Sequence, residues 1–229
     1  MSIALLVITD GRDDYLAQCI SSLDALEGPI SERWMYDDTG NAAYRARLAA
    51  VWPEFRHING GPRQGFGGAI RAAWSHLAAH STADWLFHIE QDFTFHRPVD
   101  LAAMAEVLTE RPHLVQMALR RQSWNTAERA AGGVVEQHPE AYTACHDDHG
   151  HQWLEHRQFF TTNPCLYRTE LLQVGWPDRE QSEGHFTNRL LSSGLGTVPG
   201  DQVRFGYWGA RSDSPWVEHV GHQRIGVGY

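Results

Sequence analysis

Short apolar runs that alternate with longer segments of helical period constrain this 229-residue chain most strongly. IALLVI, at residues 3–8, is apolar at every position, the pattern of a strand buried on both faces. The helically spaced YLAQCISSLDAL follows. RWMY (33–36) then predicts a second short strand, residues 43–52 a helix and FRHIN a third strand. GGPRQGFGG has the composition of a loop, and AIRAAWSHLAAH predicts a helix. WLFHIE is the next strand, DLAAMAEVLTERP a helix stopped by proline, and LVQMALR another strand. Strands buried on both faces need helices on both faces. Residues 1–120 therefore predict an α/β sandwich around a mostly parallel sheet.

The second half is less regular. Residues 121–160 are rich in His, Gln, Trp and acids and predict a long, partly helical surface insertion. FFTTNPCLYRTELLQVGWPD predicts strand, helix and turn. SEGHFTNRLLSSG predicts a capped helix closed by Gly194, and VRFGYW and WVEHV predict two late strands.

Composition narrows the chemistry. All 19 basic residues are Arg, so Schiff-base formation, P-loop phosphate binding and protein-kinase catalysis lack their lysine. The net charge of -9 argues against wrapping long nucleic acid and against anionic membrane surfaces. Cys19, Cys145 and Cys165 are odd in number, widely spaced and form no CxxC pair, which fits a reducing, cytoplasmic compartment. The N-terminus lacks the basic region and longer apolar run of a signal peptide, and no apolar stretch is long enough to span a bilayer.

Ligands of open α/β sheets sit beyond the carboxyl ends of the strands. Those ends here carry Thr9-Asp10-Gly11-Arg12, Asp37-Asp38 and Glu90-Gln91-Asp92. Carboxylates gathered in one crevice repel unless a cation or hydrogen-bond donors offset them. A hard divalent ion, Mg²⁺ or Mn²⁺, does so with oxygen ligands and can share substrate phosphates. GFGGAIRAAW (65–74) adds a phosphate-compatible helix start through Gly67 and Gly68, with Arg71 as a further charge. Taken singly these features have blander readings. Two acids can solvate a strand end, Asp37-Asp38 before Thr-Gly can be a turn, and His219 can be a packed histidine. The CHDDHGH run offers zinc ligands in Cys145, His146, His149 and His151, but it lacks paired ligand spacing and reads better as a polar loop. Trp208 and Trp216 suit either core or an acceptor platform. Arg120-Arg121 with Trp124 suits either a solvated turn or an acceptor-binding patch.

The ordered set ALLVITDGRDDYL, MYDDTGN, GFGGAIRAAW, LFHIEQDF, NPCLYRTELLQVGWPD, SEGHFTNRLLSSG and VEHVGH resembles the family 2 type glycosyltransferases of GT-A fold across nearly the whole chain. The resemblance implies one Rossmann-like three-layer α/β/α domain over 1–229. Residues 1–120 would bind a nucleotide sugar, UDP-linked by expectation, and 121–229 the acceptor. By the same match Thr9, Asp10 and Arg12 meet the base, Asp38 with Asp37 the nucleoside, and Glu90 the ribose or the metal. Asp92 binds Mn²⁺ or Mg²⁺, Glu183 is the catalytic base, and His219, or His222, is a further metal ligand. Two positions depart from the family pattern: Glu90 replaces the first Asp of Asp-x-Asp, and Gly184 follows Glu183 where an Asp is common. Some compact viral enzymes of this type glycosylate hydroxymethylated bases in DNA, which makes 5-hydroxymethylpyrimidine DNA one acceptor class. A protein, glycan or small molecule is the other. The competing functions are a nucleotidyltransferase, disfavoured by the absent Lys, and a non-catalytic nucleotide-sugar-binding module.

Overall fold

A computed structural model describes residues 1–58 and 60–221. His222, the alternative metal ligand, lies outside the described residues. In chain order the elements are β1 (Ile3–Thr9), α1 (Asp13–Ser22), β2 (Leu26–Glu27), β3 (Ile30–Asp37), α2 (Ala42–Val51), β4 (Arg56–Ile58) and α3 (Gly65–His80). There follow β5 (Trp85–Glu90), β6 (Phe93–Phe95), β7 (Val99–Asp100), α4 (Leu101–Glu110), β8 (Leu114–Ala118) and α5 (Thr126–Ala131). The last are β9 (Thr143–His146), β10 (Gln152–His156), β11 (Cys165–Arg168), α6 (Ser182–Ser193), β12 (Arg204–Trp208) and β13 (Val217–His219).

Nine strands form one mixed sheet in the order β4-β3-β1-β5-β11-β8-β12-β10-β9. β4, β3, β1 and β5 run parallel, whereas β11 is antiparallel to both of its neighbours. Every residue of β1 is buried, and its two faces feed two cores. Ile3, Leu5 and Val7 join Leu16 of α1 and Met104 of α4. Ala4, Leu6 and Ile8 join Ile70 and Trp74 of α3 and Phe186 of α6. This two-sided burial explains why IALLVI shows no alternation. Trp74 fixes α3 to the rest of its layer, with ring centroids 5.1 Å from Trp176 and 5.3 Å from Phe186.

Register brings the acids together. Thr9 pairs with Asp37 and Ile8 with Glu90, so three strand ends share one edge of the sheet. The two-stranded sheet β6–β13 pairs Phe93 with His219 beside that edge. No helix among the described residues is long and apolar enough to cross a membrane.

The structure changes several local expectations. GFGG is not loop: α3 begins at Gly65, because its first turn finds its cap elsewhere in the fold. Residues 121–160 are not a surface insertion. They contain the β9–β10 hairpin, which extends the main sheet, and the CHDDHGH run spans its turn. The segment after β11 is a 3₁₀ helix over Thr169–Val174.

Candidate active-site cleft

A cleft of about 770 Å³ opens at this edge of the sheet, within the range of small-molecule sites. Asp10, Arg12, Gly67, Glu90, Asp92, Glu183 and His219 all line it.

Gln91 joins the ends of β1 and β5. Its Oε1 accepts from the Thr9 hydroxyl and from the Asp10 amide at 3.2 Å, and its Nε2 donates to Asp10 Oδ1. Thr9 is consequently buried and shapes the turn without lining the cleft. Arg12 donates from Nε to Asp10 Oδ1 at 2.8 Å and from a terminal nitrogen to Asp92 Oδ2 at 3.0 Å. Its charge thus sits between two of the acids, as their mutual repulsion requires.

Asp92 is 6% exposed. Its Oδ2 also lies 3.3 Å from His219 Nε2, while its Oδ1 is buried with no hydrogen-bond partner among the described residues. Burial raises the Asp92 pKa, but the His219 hydrogen bond and the charges of His219 and Arg12 outweigh it and hold the carboxyl below its usual range. Glu90 goes the other way: burial, and then the Asp92 charge, push it well above the ordinary carboxylate value. Two ligands held about 2.1 Å from one ion at right angles lie roughly 3 Å apart. The Asp92–His219 pair meets that spacing, and the orphaned Oδ1 supplies free lone pairs. An O,N donor set of this kind fits a Mn²⁺ or Mg²⁺ ion that keeps positions for phosphate oxygens.

Glu183 sits in the first turn of α6, where the helix macrodipole favours an anion. Its Oε1 accepts from the Thr162 amide at 2.7 Å and from the Thr162 hydroxyl at 3.0 Å. Burial raises its pKa against these two hydrogen bonds. A positioned carboxylate of raised pKa facing a cleft can accept a proton from a bound hydroxyl.

The remaining expected residues are placed differently. Asp38 accepts from the amides of Gln64 at 2.9 Å and Gly65 at 2.8 Å, and so caps α3. Asp37 accepts from the Thr39 amide at 3.0 Å and hydroxyl at 2.7 Å, with Arg45 Nε 3.4 Å away. Neither acid lines the cleft. Gly68 packs inside α3 against Gln64, and Arg71 pairs with Asp178 outside the cleft. Trp208 and Trp216 are core residues; Arg97 lies over the Trp216 ring at 3.8 Å. Arg120 is no solvated turn: it is buried, with its guanidinium on the carbonyls of Ala210, Arg211 and Asp213. Cys145, His146, His149 and His151 do not gather as a zinc site. His151 bonds Asp147 at 2.8 Å, and His149 faces Glu106 at 3.9 Å.

Sequence reasoning missed the bonds by which Gln91 and Thr162 hold the site residues. Only Gln91 left a signal, as the uncharged residue between two acids.

The sequence matches no protein-family model and no curated protein. Its fold is similar to solved glycosyltransferases. A mannosyltransferase, PcManGT from Pyrobaculum calidifontis in complex with GDP-Man and Mn²⁺, has a TM-score of 0.57 at 16% identity over 89% of this chain and 56% of that one. S. aureus TarS 1-349 in complex with UDP-GlcNAc has a TM-score of 0.57 at 15% identity, over 98% of this chain and 62% of that one. The chain thus spans roughly three-fifths of the length of the structures it matches. At this level of identity the likeness is one of architecture: the chain has the GT-A fold of nucleotide-sugar glycosyltransferases.

Proposed function

We propose that this chain is a metal-dependent glycosyltransferase that moves a sugar from a nucleoside diphosphate to an acceptor hydroxyl with inversion. The reading rests above all on one observation: the Asp92–His219 pair and the Thr162-anchored Glu183 line the same cleft. Asp92 and His219 would hold a divalent ion, which when bound would neutralise charge on the departing diphosphate. Arg12 would add a fixed positive charge beside it. Glu183 accepts the acceptor's hydroxyl proton while that oxygen forms its bond to the anomeric carbon. The bond from that carbon to the diphosphate oxygen breaks, and its electron pair leaves on the nucleoside diphosphate. One displacement without a covalent intermediate inverts the anomeric configuration.

The two neighbouring folds carry GDP-Man and UDP-GlcNAc, so both nucleotides belong in the test. A uridine donor is our first choice from the resemblance. The acceptor class includes duplex DNA with 5-hydroxymethylpyrimidines, although the two cations expected to meet it are engaged by the fold: Arg120 by carbonyls and Arg121 by Glu128 at 2.7 Å.

The test measures nucleoside diphosphate release from UDP- and GDP-sugars with Mn²⁺, with and without hydroxymethylated DNA and simple glycosides. We expect release with at least one donor, its loss in Asp92→Asn with the far-UV circular dichroism unchanged, and a product of inverted anomeric configuration by NMR. Absence of release from every donor overturns the proposal.

A further inference from the structure

The group that holds His219 comes from a segment with no catalytic or metal-binding role in the reading above. His219 ends β13, a strand of three residues, and on one side β6 secures it. There the Val220 amide donates to the Asp92 carbonyl at 2.8 Å, so the backbones of both expected ligands are tied together. On the other side the partner is a side chain. Gln122 Oε1 accepts from the His219 amide at 3.0 Å, and Gln122 Nε2 donates to the His219 carbonyl at 3.0 Å. The Gln122 carboxamide thus continues, at His219, the parallel bridge that the Arg121 backbone makes with Val217. Trp124, two residues on, packs against the ring: its centroid lies 4.1 Å from that of His219, and Phe93 stacks on the same imidazole at 4.7 Å.

Glu128 makes the segment rigid. It is 4% exposed and accepts from Arg121 at 2.7 Å and 3.1 Å, from the Trp124 amide at 2.7 Å and from Asn125 at 3.0 Å. Four bonds to one buried carboxylate leave the turn that carries Gln122 and Trp124 little freedom.

We propose that Gln122 and Trp124 are positioning residues for the metal centre: they hold the His219 imidazole 3.3 Å from Asp92, where the two side chains could share one divalent ion. The inference rests on the metal-site reading above. Groups that orient a metal ligand typically contribute 10–100-fold to metal affinity when removed. Arg121 and Trp124 also line the cleft, so the segment that holds His219 is part of the cleft wall.

The test is Mn²⁺ binding by the full chain without any sugar, followed by the EPR signal of free Mn²⁺, together with thermal melting. Gln122→Ala and Trp124→Ala should each weaken Mn²⁺ binding by about tenfold or more, and Trp124→Phe should restore most of it. Asn125→Ala, which removes the cap of α5 and one of the four bonds to Glu128 but none of the bonds to His219, should lower the melting temperature and weaken Mn²⁺ binding clearly less than Gln122→Ala does. If wild type binds Mn²⁺ and the Gln122 and Trp124 variants bind it equally well, the positioning role is wrong while the metal site stands. If wild type and Asp92→Asn both fail to bind Mn²⁺, the metal reading falls and takes this inference with it. If affinity drops in Asn125→Ala as far as in Gln122→Ala, the effect is general loosening of the turn, and the inference is overturned.

Discussion

Glu183 carries two opposed influences. Burial raises its pKa, and the two donors of Thr162 on Oε1 pull it down. A general base must be ionised to accept a proton, so the acidic limb of the rate profile should lie above the ordinary glutamate value. Replacing Thr162 by Val removes the hydroxyl donor at 3.0 Å and keeps the backbone donor at 2.7 Å. The expected outcome is an acidic limb of kcat/KM displaced further upward, with the rate at high pH largely retained. A limb that stays in place, measured as nucleoside diphosphate release across pH, removes Glu183 from the role of base. The resemblance directed attention to Glu183, but nothing in the sequence pointed to Thr162. The two positions lie far apart in the chain, and only the packing of α6 beside the segment before β11 brings them together. The same holds for Asp92. Its acid was visible beside Glu90, whereas the separation of their ionisation was not: burial and then the Asp92 charge push Glu90 up, and His219 and Arg12, arriving from distant segments, hold Asp92 down.

At the scale of elements, α3 starts without a local cap. Its N-cap residue Gln64 makes no side-chain hydrogen bond to the first turn, and Asp38 from the end of β3 supplies both acceptors instead. A cap contributed from another element leaves no local signature such as Ser-x-x-Glu, so the glycine-rich stretch reads as loop when it is the first turn. Loss of a helix cap costs about 0.5–2 kcal/mol, and a buried two-acceptor cap belongs near the upper end. Asp38→Ala should therefore lower the urea-unfolding free energy by about 2 kcal/mol with an unchanged m-value. Asp38→Asn, which keeps one acceptor, should recover part of that loss. Because α3 presents Gly67 to the cleft, the Ala variant should also raise the donor KM more than it lowers kcat. The strands themselves were legible, since runs buried on both faces announce a sheet covered twice. The place of β11 was not. A strand inserted between β5 and β8, antiparallel to both, is fixed by tertiary packing, and neither period nor propensity carries it. The β9–β10 hairpin was hidden for another reason: its turn is made by acids and histidines, which read as an open polar loop.

The whole molecule combines a net charge of -9 with a cleft that gathers carboxylates, and this sets how its stability depends on pH. Two glutamates, one half-buried and one buried, illustrate opposite signs. Glu183 has a folded pKa raised by burial, so the folded chain holds its proton more tightly than the unfolded chain does. The stability it contributes is complete below the unfolded value, 4.5 for glutamate, and is lost as pH rises through the folded value. Glu128 differs: burial raises its pKa, but the hydrogen bonds and charge of Arg121 and the Trp124 amide outweigh that and set it below 4.5. Its stability is complete above the unfolded value and is lost as pH falls through the folded one. Two isosteric variants should therefore diverge. Glu183→Gln should melt with wild type at low pH and increasingly above it as pH rises past 4.5, because the amide escapes the cost of a buried charge. Glu128→Gln should melt below wild type at neutral pH, with the gap closing on acidification below 4.5. Calorimetric melting temperatures across pH 4 to 8 read both differences directly. Should Glu183→Gln melt below wild type at neutral pH, the carboxylate is stabilised by its surroundings, and the raised basicity that suits it to proton transfer is absent. A Glu183→Gln chain that is more stable and inactive would instead place the strain of the fold at the residue proposed as the base.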